Sequence, residues 1–153
     1  MAGGIPPLNS IPGPLADVRV QAKVECPQRA KRTLMAGPDW MPKAVRAAHT
    51  LGAVTVGHAR AGHSVYVILL HDARRHQPWG LYVGQTSRDP DWRFDQHKAG
   101  YKASGSVKRF GVCLLPHLVE HLNPMRQWES LDLEAALAEA FRAAGVPWVE
   151  GGH

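Results

Sequence analysis

The chain has 153 residues, a formal net charge of +5 and a hydrophobic fraction of 44%, values typical of a globular domain with a modest extension. Its two cysteines, Cys26 and Cys113, are too few for a disulfide framework or a cysteine-rich zinc site. No apolar run approaches the roughly 18 residues that a transmembrane helix needs, and the N-terminus lacks a secretory signal pattern. We therefore expect a cytoplasmic protein with no membrane partner.

The positive charge is unevenly distributed along the chain. Residues 1–62 carry eight Lys or Arg and three acids, whereas residues 63–153 carry ten of each kind. Within the second part, residues 85–112 hold six basic side chains and three acidic ones. A basic segment beside a domain with one basic end is typical of proteins that bind nucleic acid, because phosphates attract Lys and Arg. A mildly basic domain without such a partner is the alternative that composition leaves open.

Residues 1–62 are predicted to form a basic N-terminal extension that is partly disordered. Residues 1–34 are rich in Pro and Gly, which favours irregular structure. A short helix is predicted from Pro42 to Leu51, because Gly52 directly after it suits a helix end. A weak strand is predicted to follow at 53–57.

The sequence patterns that predict secondary structure are clearer in residues 63–153. Ser64–Leu70 is a β-branched and aromatic run, which predicts a strand, and Trp79–Gly84 predicts a second one. The polar stretch between them contains Pro and is predicted to be a loop. Two strands at this spacing indicate an antiparallel hairpin with a long connection.

The best helix start in the sequence follows the second strand. Asp89 is a residue type that caps free backbone N–H groups, and Pro90 suits the first helical position because its missing N–H costs nothing there. Gly100 is suited to end the helix in the left-handed conformation. These signals predict a helix that begins at Pro90 and ends before Gly100.

The rest of the chain predicts one more strand and one more helix. Phe110–Leu115 is an apolar run of strand length, and Trp128–Ala144 has Leu137 and Phe141 on one helical face. The order strand, strand, helix, strand, helix predicts an α+β domain over residues 63–153. Its expected architecture is a small three-stranded antiparallel sheet flanked by helices.

Five side chains of this domain suit the hydrolysis of a phosphodiester bond. The reaction needs an activated water, neutralisation of charge on the phosphoryl oxygens and help for the departing oxygen. A carboxylate binds Mg²⁺ or Mn²⁺, a guanidinium binds phosphate, and a phenol or an imidazole moves protons. The predicted elements carry one such set: Tyr66 and Tyr82 on the hairpin strands, Arg93 and His97 four residues apart on a helix, and Glu134 beside the apolar face of the last helix.

The segments around the two tyrosines resemble the motifs of the GIY-YIG nucleases. Val65-Tyr66-Val67 is similar to the first tyrosine motif of that family. Leu81-Tyr82-Val83-Gly84 is similar to the second motif, and Gly84 matches its glycine.

Two later segments extend the resemblance. Arg93 and His97 match the family's helix that carries Arg, often with His four residues later. Leu133-Glu134-Ala135-Ala136-Leu137 is similar to the context of the family's metal-binding Glu. Residues 97–101 and 122–125 also resemble small stand-alone bacterial members.

The resemblance implies a metal-dependent nuclease that cleaves DNA, with RNA as the open alternative, by a one-metal mechanism. Glu134 would bind one Mg²⁺ or Mn²⁺, and Arg93 would stabilise charge on the phosphoryl group. Tyr66 or Tyr82 would orient or deprotonate water, and His97 would assist proton transfer. The expected nucleic-acid contacts lie in the basic part of the domain: Lys98, Lys102, Lys108 and Arg109.

Two other functions stay open. A catalytically decayed module of the same fold, which binds nucleic acid or protein, is one, because the first tyrosine motif lacks the Gly and Ile of the family pattern. The other is a zinc protease, because His117-Leu118-Val119-Glu120-His121 matches its inverted zinc signature. Pro116 and Pro124 leave no room for the sustained helix that this signature needs, which favours a surface turn.

Overall fold

The computed structural model describes residues 38–52 and 61–152, and the strand predicted at 53–57 lies outside them. The described ranges form an α+β fold. No helix in these ranges combines the length and the apolar character needed to cross a membrane. The elements of the described ranges are α1 (Met41–His49), β1 (Ser64–His71), β2 (Trp79–Thr86), α2 (Pro90–Ala99), α3 (Gly105–Phe110), β3 (Gly111–Leu114), two 3-10 turns (Pro116–Leu118 and Glu120–Leu122), α4 (Gln127–Ala143) and β4 (Val149–Gly151).

Within the described ranges the sheet has four strands in the order β3-β1-β2-β4. β1 and β2 form the predicted antiparallel hairpin, in which Tyr66 is paired with Gly84 and Ile68 with Tyr82. β3 pairs with the other edge of β1, also antiparallel. The three predicted strands are thus confirmed, but the expectation of a purely three-stranded antiparallel sheet is wrong. β4 adds a fourth strand that is parallel to β2.

Tertiary contacts, and not a local pattern, place β4 in the sheet. The strand has only three residues and ends in Gly151, so it shows no alternation of apolar and polar residues. The Leu81 N–H donates to the Trp148 carbonyl oxygen at 2.9 Å. A Cβ at Gly80 would lie 2.7 Å from Cε3 of Trp148, so the indole packs directly on the β2 backbone.

Helices cover both faces of the sheet. α1 and α4 pack on one face, whose buried side chains include Val65, Val67, Leu69, Leu81, Val83, Leu137 and Phe141. α2 and α3 pack on the other face, called the tyrosine face below, whose side chains are Tyr66, Ile68, Leu70, Phe94, Val107 and Trp148, with Tyr82, Phe110 and Leu114 half-buried beside them. Because β1 is covered on both sides, nearly all of its residues are apolar.

The helix predicted after β2 is confirmed at both ends. Asp89 Oδ1 accepts hydrogen bonds from the backbone N–H groups of Asp91 at 2.9 Å and Trp92 at 3.2 Å. Pro90 occupies the first helical position, and Gly100 follows the last one with a φ of 88°. This well-defined start and end fix the register of α2 and so the positions of Arg93 and His97.

The next helices depart slightly from expectation. α3 is not predicted, because it has six residues and only Val107 of them is buried, which leaves no helical period to detect. It takes Phe110 out of the predicted third strand, which begins at Gly111 instead. α4 is present and begins at Gln127, one residue before the predicted start.

α1 is built into the same core as the domain. It begins at Met41 and ends at His49, close to the predicted bounds. Trp40, Ala44 and Ala48 are buried in the cluster that α4 also contributes to. The helix therefore lies within the segment 1–62 assigned to the extension, yet its buried face belongs to the folded domain.

Candidate active site

Tyr66 packs on Gly84, its partner across the hairpin. A Cβ at position 84 would lie 2.6 Å from both Cζ and the hydroxyl oxygen of Tyr66, and 2.9 Å from Cε1 of Tyr82. The missing side chain therefore lets the Tyr66 ring lie over the backbone of β2. This contact gives a physical reason for a glycine two residues after Tyr82.

His97 fixes the hydroxyl of Tyr66. Its ring is buried, and its Nε2 lies 2.9 Å from the Tyr66 hydroxyl oxygen. Its Nδ1 accepts a hydrogen bond from the backbone N–H of Ser104 at 3.0 Å. Because a backbone N–H only donates, Nδ1 carries no proton, and the neutral ring holds its proton on Nε2. His97 therefore donates to Tyr66.

The protonation state of His97 agrees with this assignment. Burial, and after it the positive charge of Arg93, lower the pKa of His97 to about 4. The imidazole is therefore neutral at pH 7.

Tyr82 completes an aromatic cluster with these two rings. Its ring centroid lies 6.2 Å from that of Tyr66 and 5.7 Å from that of His97. Burial raises the pKa of Tyr82, and the negative charge of Glu134 is the next cause, while the interactions with Tyr66 and Arg93 oppose the rise. Burial likewise raises the pKa of Tyr66 well above its ordinary value, and Tyr82 adds to that rise. Both phenols are therefore protonated at neutral pH.

Arg93 lies one helical turn before His97, and a loop orients it. Its Nη2 donates to the carbonyl oxygen of Lys102 at 2.8 Å, and its Nη1 lies 3.4 Å from the carbonyl oxygen of Tyr101. Its charge opposes the pKa rise of both phenols. The guanidinium is thus held half-buried and close to the tyrosines.

Glu134 approaches the tyrosines from the helix on the opposite face. Its side chain is buried, more so than its position at the edge of the apolar stripe predicts. Its Oε1 accepts a hydrogen bond from the backbone N–H of Gly152 at 3.2 Å, directly after β4. Its negative charge is the second cause of the raised pKa of Tyr82 and the last of the causes given for Tyr66. Tyr66, Tyr82 and His97 therefore form one cluster, and the charges of Arg93 and Glu134 act on its two phenols.

The four predicted nucleic-acid contacts divide into two pairs. Lys98 Nζ donates to the Gly111 carbonyl oxygen at 2.9 Å, and a Cβ at Gly100 would lie 2.9 Å from Lys108 Nζ. These two ammonium groups therefore lie against the ends of α2 and α3 and help to join them. All four side chains, Lys102 and Arg109 among them, are exposed.

Two further groups at the site have no motif that would reveal them in the sequence. The Ser104 N–H sets the tautomer of His97, and its only local signal is a Ser before a short helix. Glu150 is paired with Tyr82 in the β2–β4 register, and its Oε1 accepts a hydrogen bond from Trp148 Nε1–H at 2.8 Å. The position of Glu150 depends on β4, which the sequence does not predict.

The segment that matches the inverted zinc signature forms two 3-10 turns, as expected for a surface turn. His121 Nε2 lies 3.2 Å from the Ala48 carbonyl oxygen, and its ring stacks on that of His49. No group of three or more His, Cys, Asp or Glu is placed to hold a metal ion in the described ranges. The part of the chain that the structure describes gives no support to a zinc protease.

Comparisons with protein-family models, curated proteins and solved structures found no match to this chain. The resemblance to GIY-YIG nucleases therefore rests on the sequence motifs alone.

Proposed function

We propose that this protein is a metal-dependent nuclease of the GIY-YIG type that hydrolyses phosphodiester bonds in DNA or RNA. The observation that carries the proposal is one cluster on the tyrosine face. Tyr66, Tyr82 and His97 are in contact there, and the charges of Arg93 and Glu134 act on both phenols. A cation and a carboxylate whose charges reach the same two hydroxyl groups are the kinds of group that phosphodiester hydrolysis needs.

Among the described residues no three or more His, Cys, Asp or Glu are grouped to hold a metal ion. We therefore expect a single divalent metal of the Mg²⁺ or Mn²⁺ kind to be bound by one carboxylate of the chain together with the substrate. Mg²⁺ keeps several waters and is commonly bound through one or two carboxylates together with substrate phosphates. Glu134 supplies such a carboxylate, fixed by the Gly152 N–H. The metal, when bound, would polarise the phosphate and stabilise charge on the departing oxygen.

The protein's own groups divide the remaining work. Arg93 neutralises charge on the phosphoryl oxygens, because its guanidinium is held close to both phenols. Both phenols keep their protons at neutral pH, so Tyr66 and Tyr82 orient the attacking water by hydrogen bonds, and the proton of that water passes to solvent. His97 positions the Tyr66 hydroxyl through its Nε2–H, because the neutral imidazole present at pH 7 is too weak an acid to give up that proton.

The second candidate is a module that binds nucleic acid without cleaving it. The raised pKa of both tyrosines favours it, because neither phenol is prepared to act as a base. Nη1 and Nη2 of Arg93 also face carbonyl oxygens of the loop after α2, so fewer of its N–H groups are free to stabilise a reacting phosphate. Under this alternative Arg93 contributes to binding and Glu134 does not.

The proposal is tested with purified full-length protein and end-labelled substrates. Single- and double-stranded DNA and RNA are incubated with Mg²⁺, with Mn²⁺ or with EDTA. We expect cleavage with either metal and none in EDTA. Cleavage in EDTA at the same rate as with a metal would contradict the metal-dependent mechanism. Binding without cleavage under every condition would favour the second candidate.

A further inference from the structure

The loop between β1 and β2 holds two arginines in a defined arrangement. The Asp72 N–H donates to the Pro78 carbonyl oxygen at 2.8 Å, which closes the loop. Asp72 Oδ1 accepts hydrogen bonds from the backbone N–H and from Nε of Arg74, both at 3.1 Å. Asp72 Oδ2 lies 3.8 Å from Nε of Arg75. One buried carboxylate therefore orients two neighbouring guanidinium groups.

Both guanidinium groups lie against aromatic rings of the tyrosine face. Arg75 Cζ is 3.8 Å from the centroid of the Trp148 ring, and Arg74 Cζ is 5.7 Å from that of Phe110. The two rings pack edge to face, with centroids 5.5 Å apart. The loop is thus folded over the same face of the sheet that carries the candidate active site.

A continuous path of contacts joins the loop to the site. Trp148 contacts Arg75 with its ring and donates its Nε1–H to Glu150, which is paired with Tyr82. Along β2, the three residue-to-residue steps from Trp79 at the loop to Tyr82 span about 10 Å at the usual rise of a strand. That distance corresponds to about three nucleotides along one strand of a duplex.

The loop also presents positive charge to solvent. The side chain of Arg74 is 79% exposed and that of Arg75 is 45% exposed, whereas Asp72 is 10% exposed. The hydrogen bond from Arg74 lowers the pKa of Asp72, so that carboxyl stays ionised. With one acid between two arginines, a net positive charge remains at the surface. A planar guanidinium held in place is suited to pair with the oxygens of a phosphate.

We infer that Arg74 and Arg75 bind backbone phosphates of the nucleic-acid substrate a few nucleotides to one side of the bond that is cleaved. The inference rests on the proposed function for the identity of the ligand. It gives the loop a role beyond closing the hairpin, and it adds a second contact region to the one around Arg93.

The test compares two matched double variants of the full-length protein. Arg74→Gln with Arg75→Gln removes the loop charges. Lys43→Gln with Arg46→Gln removes two exposed charges from α1, which packs on the opposite face of the sheet. Binding to a labelled DNA duplex is measured in EDTA over a series of salt concentrations. Arg74→Gln alone leaves the contact of Arg75 with Trp148 intact and covers the case in which the loop double variant does not fold.

The logarithm of the binding constant falls as the logarithm of the salt concentration rises. The loop double variant should make this slope shallower by about 1 to 2, as the loss of one or two phosphate contacts does. Arg74→Gln alone should lower it by about 1. The α1 variant should keep the slope of the parent. Three results would overturn the inference. They are a salt slope in the loop variants equal to that of the parent, an equally shallow slope in the α1 variant, and no measurable binding by the parent.

Cleavage by the same proteins separates this inference from the proposed function. If the parent cleaves with Mg²⁺ or Mn²⁺ and the loop variants bind as it does, the inference fails and the nuclease proposal stands. If the parent binds in EDTA with a slope that depends on the loop but never cleaves, the loop contact stands and the nuclease proposal fails.

Discussion

His97 donates its Nε2–H to the hydroxyl oxygen of Tyr66 across 2.9 Å, and the Ser104 N–H holds the other ring nitrogen at 3.0 Å. The backbone therefore sets the tautomer, and the tautomer sets the direction of the Tyr66 hydroxyl. Because a charged imidazole would place a proton on Nδ1 against the Ser104 N–H, this arrangement exists only while His97 is neutral.

The first prediction concerns the dependence of stability on pH. The folded pKa of His97, about 4, lies below its ordinary value of 6.5, so the unfolded chain binds more protons between these two values. The free energy of unfolding should therefore fall as the pH falls from about 6.5 to about 4. His97→Gln should make this fall shallower in urea unfolding experiments. His76→Gln, in the exposed hairpin loop, serves as the control, and equal pH profiles for the parent and His97→Gln would count against the buried neutral imidazole.

The second prediction concerns Gly84. The methyl group of Gly84→Ala would meet the Tyr66 ring at 2.6 Å, and that ring is held by His97. We expect the ring to be displaced, with a loss of about 1–3 kcal/mol in the free energy of unfolding and loss of cleavage. Gly105→Ala is the control, because a Cβ there meets no atom within 4 Å. A Gly84→Ala protein with the stability and activity of the parent would show that Tyr66 does not need this contact.

The third prediction concerns the Tyr66 hydroxyl. Tyr66→Phe leaves the buried Nε2–H of His97 without its acceptor, which should cost about 1–3 kcal/mol of stability and reduce cleavage strongly. Tyr101→Phe removes a hydroxyl from a tyrosine that is 57% exposed and should change neither quantity. Thermal unfolding and initial cleavage rates measure both effects. Equal unfolding temperatures and equal cleavage rates for the two variants would contradict the assignment of Tyr66 to the active site.

Local signals explain how much of this fold the sequence predicts. The cap at Asp89, the Pro at position 90 and the Gly at position 100 act within a few residues, so α2 is predicted to its ends. The hairpin follows from two strand-sized runs. β4 could not be predicted in this way, because its place depends on the contact of Trp148 with Gly80, which is made only in the folded chain.

The same distinction holds for the site. The residue types and spacings in the sequence single out the five predicted catalytic side chains, but not the groups that orient them. Ser104 acts on His97 through its backbone, which no residue type reveals. Glu134 is held by the N–H of Gly152, a contact between a helix and the segment after β4. Burial is the main cause of the two raised pKa values, and of the two expected roles, orienting water or deprotonating it, they favour the first.

The fourth prediction concerns the N-terminal segment. Residues 1–37 carry five Lys or Arg and two acids, so their deletion should weaken nucleic-acid binding and flatten its salt dependence without loss of the fold. Deletion of residues 1–62 also removes Trp40, Ala44 and Ala48 from the core and should lower the unfolding temperature markedly. Circular dichroism melting and binding over a salt series test both parts. Equal melting temperatures for the two truncations would show that α1 adds nothing to stability.

The most direct test of the nuclease proposal is the Mg²⁺-dependent cleavage rate of Glu134→Gln. The amide keeps an oxygen that accepts the hydrogen bond from Gly152 but removes the charge that would bind the metal. Asp132→Asn, an exposed acid on the same helix, is the control. We expect Glu134→Gln to fold and bind nucleic acid like the parent while its cleavage rate falls by a factor of about 10² or more, and Asp132→Asn to cleave like the parent. Cleavage by Glu134→Gln at the parent's rate would contradict the assignment of the metal to this residue.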